Sequence, residues 1–227
     1  MTLKGEGRAS EPRTVNRFDG GVSWIAYPEE EMERASHALV TEAGTFVVDP
    51  VDTSELDDLL SELEEVAGVV VLLDRHKREA AAVARRHDVP IYLPSQLSGI
   101  AGKLDAPIET FSGRLPGTDY RTVSVVDTPV WREVALWNER EGTLVVPESV
   151  GTAEYFLAPG ERLGVHPARR LLPPTNALEG LGPDRVLVGH GEGVMTDAES
   201  ALADALSGSR KRAPSLYAHT ARYFLPF

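Results

Sequence analysis

The stretch from Val69 to Pro94, VVVLLDRHKREAAAVARRHDVPIYLP, constrains the fold more than any other part of the chain. Val69 to Leu73 has no polar position, which is the pattern of a central strand covered on both faces. An alanine-rich helix ending near His87 follows, and Ile91 to Leu93 reads as the parallel neighbour of the first strand, so the segment is a βαβ unit. Open α/β folds collect ligands beyond the carboxyl ends of their strands. In this chain that place is occupied by Asp74, His76, Arg78 and Glu79, a knot of acid, base and ligand-type side chains.

The rest of the chain is organised around this unit. GVSWIAY and HALVTEAGTFVVD read as strands, the second folding into a hairpin through Glu42, Ala43 and Gly44. Thr53 or Ser54 is expected to cap a helix whose apolar face is Leu56, Leu59, Leu60, Leu63 and Val66, with Gly68 ending it. Residues 95 to 118 are interrupted by Gly and Pro and read as a surface loop. RTVSVVDT, REVALWNE and GTLVVPE then read as short strands, Thr152 to Phe156 as a short helix, and RVLVGH as one more buried strand. Thr196 or Asp197 is expected to cap a last helix that Ser207, Gly208 and Ser209 interrupt. The pattern implies one domain over 1–227, with a polar surface segment over 1–20 that covers the surface or begins an edge strand, and a tail over 207–227. That tail ends in Tyr217, Tyr223, Phe224 and Phe227, a set too apolar to leave in water, so it packs back on the domain or on a second subunit as a homodimer contact.

Composition excludes several function classes. The absence of cysteine removes disulfides, thiol nucleophiles and thiolate metal sites, so any metal must be held by His, Asp or Glu. The net charge of −12, from 35 acidic and 23 basic residues, disfavours nucleic-acid binding, which needs a basic surface. No apolar run approaches the roughly 18–20 residues that span a bilayer, and the first residues lack the apolar segment of a secretory signal, so a cytoplasmic protein with no membrane association is expected. Lysine occurs only at positions 4, 77, 103 and 211. This acidic, lysine-poor pattern resembles proteins of salt-loving archaea, where carboxylates keep a surface hydrated and mutually repulsive although salt screens charge within a few ångströms. The alternative is an ordinary acidic protein from a GC-rich genome.

SHALVTEAGTFVVDPVD, LLDRHKREA, DTPVWREVALWNEREGTLVVPES and LVGHG occur in an order and spacing that resembles the metallo-β-lactamase fold superfamily over roughly residues 21 to 206. The resemblance implies an α/β fold, a four-layer αββα sandwich. It also implies a centre for two divalent ions built on a His-x-His-x-Asp-His motif, and here that motif is degenerate. Asp74 stands at the first histidine, His76 at the second, Arg78 at the aspartate and Glu79 at the last histidine. Trp131 replaces the next histidine, and indole has no lone pair to offer a metal. Glu148 stands at the bridging aspartate and His190 at the last ligand position.

Arg78 decides how far function carries over, because a permanently protonated guanidinium cannot ligate and repels a cation. It is expected to take the place of a metal and to satisfy Asp74, Glu79 and Glu148 through forked hydrogen bonds. The favoured function is therefore a non-catalytic or small-molecule-binding member of the superfamily. The alternative is a hydrolase acting on an ester, lactone, thioester or phosphoester, with one zinc, manganese or iron on His76, Glu148 and His190, Asp74 and Glu79 handling protons, and Arg78 and Trp131 lining the pocket. The glycines at 189, 191 and 193 have the wrong spacing for a dinucleotide site and read as turn glycines around His190. His87 reads as a structural residue at a helix end, and His37 and His166 as lesser candidates for the cleft. No serine sits in a nucleophile elbow.

Overall fold

The computed structural model describes residues 12–220. Its first half forms a seven-stranded sheet in chain order. The strands are β1 (Arg13–Phe18), β2 (Gly21–Ile25), β3 (Ala35–Thr41), β4 (Gly44–Val48), β5 (Val66–Val70), β6 (Ile91–Pro94) and β7 (Ile108–Phe111). β1 to β4 pair antiparallel through tight connections, and β4 to β7 pair parallel through crossovers that carry α1 (Leu56–Ser61) and α2 (Ala80–Arg86). The second sheet contains β8 (Arg121–Thr128), β9 (Trp131–Asn138), β10 (Thr143–Val146) and β13 (Arg185–Val188), in the order β13-β10-β9-β8. Between its last two strands lie a small ribbon of β11 (Val150–Gly151) and β12 (Gly164–Val165) and the short helix α3 (Thr175–Leu178); α4 (Ala198–Thr220) closes the described chain.

Alternation along the strands builds four layers. Val47 of β4 and Val69 of β5 face outward with Val71 onto α1 and α2, in a layer that includes Leu56, Leu60, Val83 and Ala84. Phe46, Val48, Val70 and Leu72 face inward and meet Leu136, Val145 and Leu187 of the second sheet. Leu144, Val146, Val186 and Val188 point out of the other side onto Leu178, Leu202 and Ala205. Each sheet is therefore apolar on both faces, which is why its central strands read as continuous hydrophobic runs. The architecture is α/β, a four-layer αββα sandwich, as the sequence resemblance implied.

Three local expectations are corrected. Val66 begins β5 and is not the last position of a helix: α1 stops at Ser61, and Val66 shares its apolar layer with Leu59 and Leu63, which mimics helical spacing. Gly68 lies inside β5, where an added Cβ would meet the Tyr92 ring at 2.5 Å, so glycine is there to admit an aromatic ring and not to end a helix. The segment over 95–118 is also not a plain loop, since Ser95–Lys103 forms a 3-10 helix that buries Leu97 and Ile100, and β7 follows it.

The last helix runs unbroken through Ser207, Gly208 and Ser209. Ser209 is buried and its hydroxyl donates to the Arg170 carbonyl at 2.8 Å, so a tertiary bond outweighs weak helix propensity. The segment over 1–20 contributes β1, an edge strand. In the tail, Arg212 forks onto Asp204 (2.8 and 2.6 Å) and the Tyr217 hydroxyl donates to the Pro167 carbonyl at 3.0 Å. Tyr223, Phe224 and Phe227 lie outside the described residues. Among the described residues no helix is long and apolar enough to cross a membrane.

The 152–174 segment is fastened to α4 by Arg170, which has no exposed surface. Its guanidinium donates to both Glu161 oxygens at 2.6 Å and to the Val165 carbonyl at 2.8 Å. Removing one partner of such a pair leaves a buried, uncompensated charge. Glu161→Ala is accordingly expected to lower stability by about 3–5 kcal/mol in urea denaturation, whereas replacing both partners by apolar residues costs less.

Candidate functional site

One pole of the sandwich gathers the chain turns that follow β4, β5, β10 and β13. Asp49 directly follows β4, and its φ of 45° turns the chain there, with its carboxylate reaching the neighbouring strand. Asp49 Oδ1 accepts the Leu72 amide at 2.9 Å, and Oδ2 faces Nδ1 of His76 at 2.9 Å. Beyond β13 the chain must pass over Pro147: a Cβ at Gly189 would lie 2.1 Å from the Pro147 carbonyl oxygen, so glycine is what lets His190 approach Glu148. Gly191, with φ 94°, makes the turn that follows.

His76, Glu148 and His190 meet here, all three buried. Nε2 of His76 lies 3.0 Å and Nε2 of His190 lies 3.1 Å from the same Glu148 oxygen, Oε2. Each ring is oriented from behind. The His190 Nδ1 is 2.7 Å from the Met32 carbonyl, which can only accept, and the His76 Nδ1 faces the Asp49 carboxylate, so both Nδ1 atoms carry hydrogen and both Nε2 atoms point inward. Phe156 stacks on His190 at 5.4 Å.

The charges follow from this geometry. Burial would raise the Glu148 carboxyl, but the two imidazoles facing it reverse the effect and hold it far below the usual carboxylate range. Burial pushes His190 below its ordinary value against the pull of Glu148. An ionised oxygen thus confronts two ring nitrogens, and with neutral rings three lone pairs converge with no hydrogen between them. That arrangement calls for a cation or for added ring protons. Two imidazoles and a carboxylate also form a donor set that suits zinc, manganese or iron, so these residues fit a single divalent ion.

Arg78 sits beside this focus. Its Nη1 donates to the carbonyls of Ala35 (2.6 Å) and Asp49 (2.8 Å), and its Nη2 donates to that of Gly189 (3.1 Å) and lies 3.4 Å from Nε2 of His76. The expected forks onto Asp74, Glu79 and Glu148 are not formed. The guanidinium is held by main-chain carbonyls from both sheets. At about 4 Å and an effective dielectric near 20, a guanidinium and a divalent ion repel by about 8 kcal/mol. The Asp49 and Glu148 carboxylates each oppose that by a comparable amount.

Asp74 and Glu79 do not join the triad. Asp74 turns to β9, where its Oδ2 accepts the Arg132 amide at 3.1 Å. Glu79 Oε2 is buried without a hydrogen-bond partner, and the Glu79 amide bonds to the Pro50 carbonyl. Trp131 forms a side wall: its indole donates to Glu133 at 2.9 Å, Arg75 lies 4.4 Å over its ring, and His166 meets it edge-on at 5.0 Å. His87 is at the surface near Asp57, and His37 does not join the triad, its Nδ1 lying 2.8 Å from the Ser23 hydroxyl.

The sequence reading missed two contributors, Glu133 and Arg75, and gave His166 only as a lesser candidate for the cleft. Glu133, with no exposed surface, accepts the amides of Glu148 (3.0 Å) and Ser149 (2.7 Å) and the Ser149 hydroxyl (2.5 Å), and so fixes the loop that carries Glu148. A lone glutamate inside the apolar run of β9 was the available signal. His166 accepts the Ala168 amide on Nδ1 at 3.1 Å and turns Nε2 toward the other Glu148 oxygen at 3.5 Å. Arg75 lies 3.9 Å from that same oxygen. No signal short of the fold joined these two to Glu148.

No family model matches this sequence, and no curated protein matches it. Solved structures do. A metallo-β-lactamase, DIM-1, in a crystal exposed to ceftazidime, superposes with a TM-score of 0.61 over 92% of this chain and 99% of its own at 13% identity. FIM-1 from Pseudomonas aeruginosa, a metallo-β-lactamase in its mono-zinc form, gives 0.53 over 88% and 96% at 9% identity. The apo state of the chemotaxis sensor ODP from T. denticola gives 0.54 over 87% and 94% at 13% identity. The fold is the metallo-β-lactamase fold.

These contacts fix what two perturbations do. Arg78→Met removes three carbonyl bonds at the junction of the sheets and is expected to cost about 3 kcal/mol or more in urea denaturation. Burial also pushes the rings of His37 and His166 down to about 4 from 6.5. The unfolded chain then takes up these protons first, so stability present above about pH 6.5 is lost as pH falls toward 4, by on the order of 2–3 kcal/mol per ring. Denaturation at about pH 7 and pH 4.5 measures the loss, and His37→Gln is expected to reduce it by about half, the contribution of His166 remaining.

Proposed function

We propose that this chain is a metallo-β-lactamase-fold protein with a reduced metal centre, a site for one divalent ion at His76, Glu148 and His190, which binds a small molecule without turning it over. The observation that carries this reading is the Arg78 guanidinium, bonded to three main-chain carbonyls and 3.4 Å from His76 Nε2, where a dinuclear centre would need room for a second ion. A bound ion would supply Lewis-acid polarisation of a ligand oxygen. The chain's own groups are poorly arranged for proton transfer beside it: Asp74 is bonded to the Arg132 amide, Glu79 stands outside the triad, and the second oxygen of Glu148 faces His166 and Arg75. The wall of Trp131, Arg75 and His166 would orient the small molecule. That one structural relative is described as a chemotaxis sensor and another as a mono-zinc form is in keeping with this reading.

A mononuclear hydrolase is the second reading, favoured by the convergence of three ligand atoms within 4.8 Å of one another. Metal analysis after chelator-free purification, with zinc, manganese and iron supplementation, tests both. One ion per chain, lost in His190→Ala, is the expected result, and no ion under any condition sinks both readings. Loaded protein is expected to leave ester, lactone, thioester and phosphoester probes intact, whereas turnover abolished by His190→Ala would establish the hydrolase. We further propose a single cytoplasmic domain adapted to high salt. Melting temperature is then expected to rise from low-salt buffer to molar potassium chloride, and a flat response would contradict it.

A further inference from the structure

Where β9 borders the triad, the rim carries two donors that no acceptor among the described residues fully takes up. Arg75 follows Asp74 beyond β5, and its guanidinium is held 4.4 Å over the Trp131 ring. Among the described residues its one hydrogen bond runs from Nη1 to the Val130 carbonyl at 3.4 Å, near the limit of such bonds. The carboxylates around it stand farther off, with Asp74 Oδ1 at 3.6 Å from Nη1 and Glu148 Oε1 at 3.9 Å from Nη2. The side chain is 43% exposed, so the unused N–H groups are within reach of a ligand.

His166 supplies the second donor. Its Nδ1 accepts the Ala168 amide at 3.1 Å, so in the neutral ring the hydrogen is on Nε2, and that atom faces Glu148 Oε1 at 3.5 Å without closing a hydrogen bond. The rings of Trp131 (5.0 Å), Phe156 (5.3 Å) and Tyr155 (5.9 Å) pack against the imidazole and hold that orientation. A guanidinium and a ring N–H thus both stand beside Glu148 Oε1 with no acceptor at full bonding distance. Apolar surface adjoins them: the Trp131 ring and Val130, which is 83% exposed on the turn between β8 and β9. A few placed polar groups beside an aromatic and apolar wall are the composition of a small-molecule site.

We propose that this rim binds an aromatic monocarboxylate, with the carboxylate on Arg75 and His166 and the ring against Trp131 and Val130. A carboxylate suits the donors because its two oxygens accept from a planar guanidinium edge and from a neighbouring N–H at once, bonds that charge strengthens. An aromatic body suits the wall because it packs edge-on or offset against an indole and buries the exposed valine. The proposal deepens the reading of a single ion at His76, Glu148 and His190 and rests on it: an anion beside the Glu148 carboxylate is repelled unless a cation offsets that charge. The subsite is made of this chain's own departures from the motif, since Trp131 stands where the resemblance expects a metal-binding histidine.

Calorimetric titration of the zinc-supplemented full chain with 2-naphthoate tests the assignment, with metal content measured on the same sample. 2-Naphthamide is the neutral counterpart and acetate the anion without a ring. Saturable binding of one naphthoate per chain is expected, with the amide and acetate weaker by about tenfold or more, and a loss of similar size in Arg75→Gln and after chelation. Arg75 closes a single long hydrogen bond, so the melting temperature of that variant is expected to hold; where it fails to fold, His166→Gln serves instead. A chain that holds one ion yet binds no naphthoate, binds the amide or acetate equally well, or binds unweakened in the folded variant overturns the proposal and leaves the single-ion reading standing. Naphthoate binding that chelation leaves unchanged also overturns it. A chain that takes up no ion under any supplementation sinks that reading and the proposal together, and the metal measurement tells the two failures apart.

Discussion

Two imidazole nitrogens held 3.0 and 3.1 Å from one carboxylate oxygen, in a buried place, are the constraint around which this pole of the molecule is arranged. Such a cluster is unfavourable unless every member is held from behind, because mutually repelling lone pairs would otherwise rotate apart. Asp49 holds His76, the Met32 carbonyl holds His190, and Glu133 holds the backbone beneath Glu148. Each holder is itself fixed. Asp49 is tied to the Leu72 amide, and the turn that presents Met32 is closed by Arg34, which forks onto Glu30 and lies 4.9 Å over the Tyr27 ring. The order of the strands matters to chemistry because it brings these four turns to one end.

Arg78 gives the same pole a second function, as a structural cross-link. Its three carbonyl partners come from the start of β3, the end of β4 and the end of β13, so one side chain joins both sheets where a metal cluster could otherwise do so. A guanidinium suits such a cross-link because it is planar, rich in donors and less strongly hydrated than an ammonium. Burial lowers its pKa and the nearby Asp49 charge opposes that. An arginine at position 78 thus bears on two things at once, the charge beside the triad and how the halves of the sandwich are fastened.

What the sequence made legible follows the physics of burial. Val69 to Leu73 and RVLVGH were readable because strands apolar on both faces leave unbroken hydrophobic runs, and His76, Glu148 and His190 were readable because each stands where such a run ends. Side-chain direction was not readable. Asp74 and Glu79 flank His76 in sequence, yet neither joins the triad: Asp74 bonds back to β9, and Glu79 Oε2 is buried without a hydrogen-bond partner. Val66 was assigned to a helix since spacing alone cannot separate a helix end from a strand that covers the same layer. Ser207 to Ser209 suggested a break, but the Arg170 carbonyl that keeps Ser209 helical is 39 residues away in sequence. Such long-range partners leave no local trace.

The triad also explains why the pocket is compatible with more than one occupant. If both Nε2 atoms carried protons, the two imidazolium rings and Arg78 would together exceed Asp49 and Glu148 by one positive charge. If a divalent ion stood between neutral rings, the excess would be the same single charge. Exchange of two ring protons for one ion therefore leaves the electrostatics of the surrounding shell unchanged, and the contacts from Asp49, Met32 and Glu133 need not move. What differs is direction, since a proton lies on one line between two atoms while an ion draws three ligands and leaves further positions open to a ligand oxygen. The holders are arranged for the geometry common to both, which makes the identity of the cation a matter of supply and pH, and makes the rigidity of this pole a property of the chain itself.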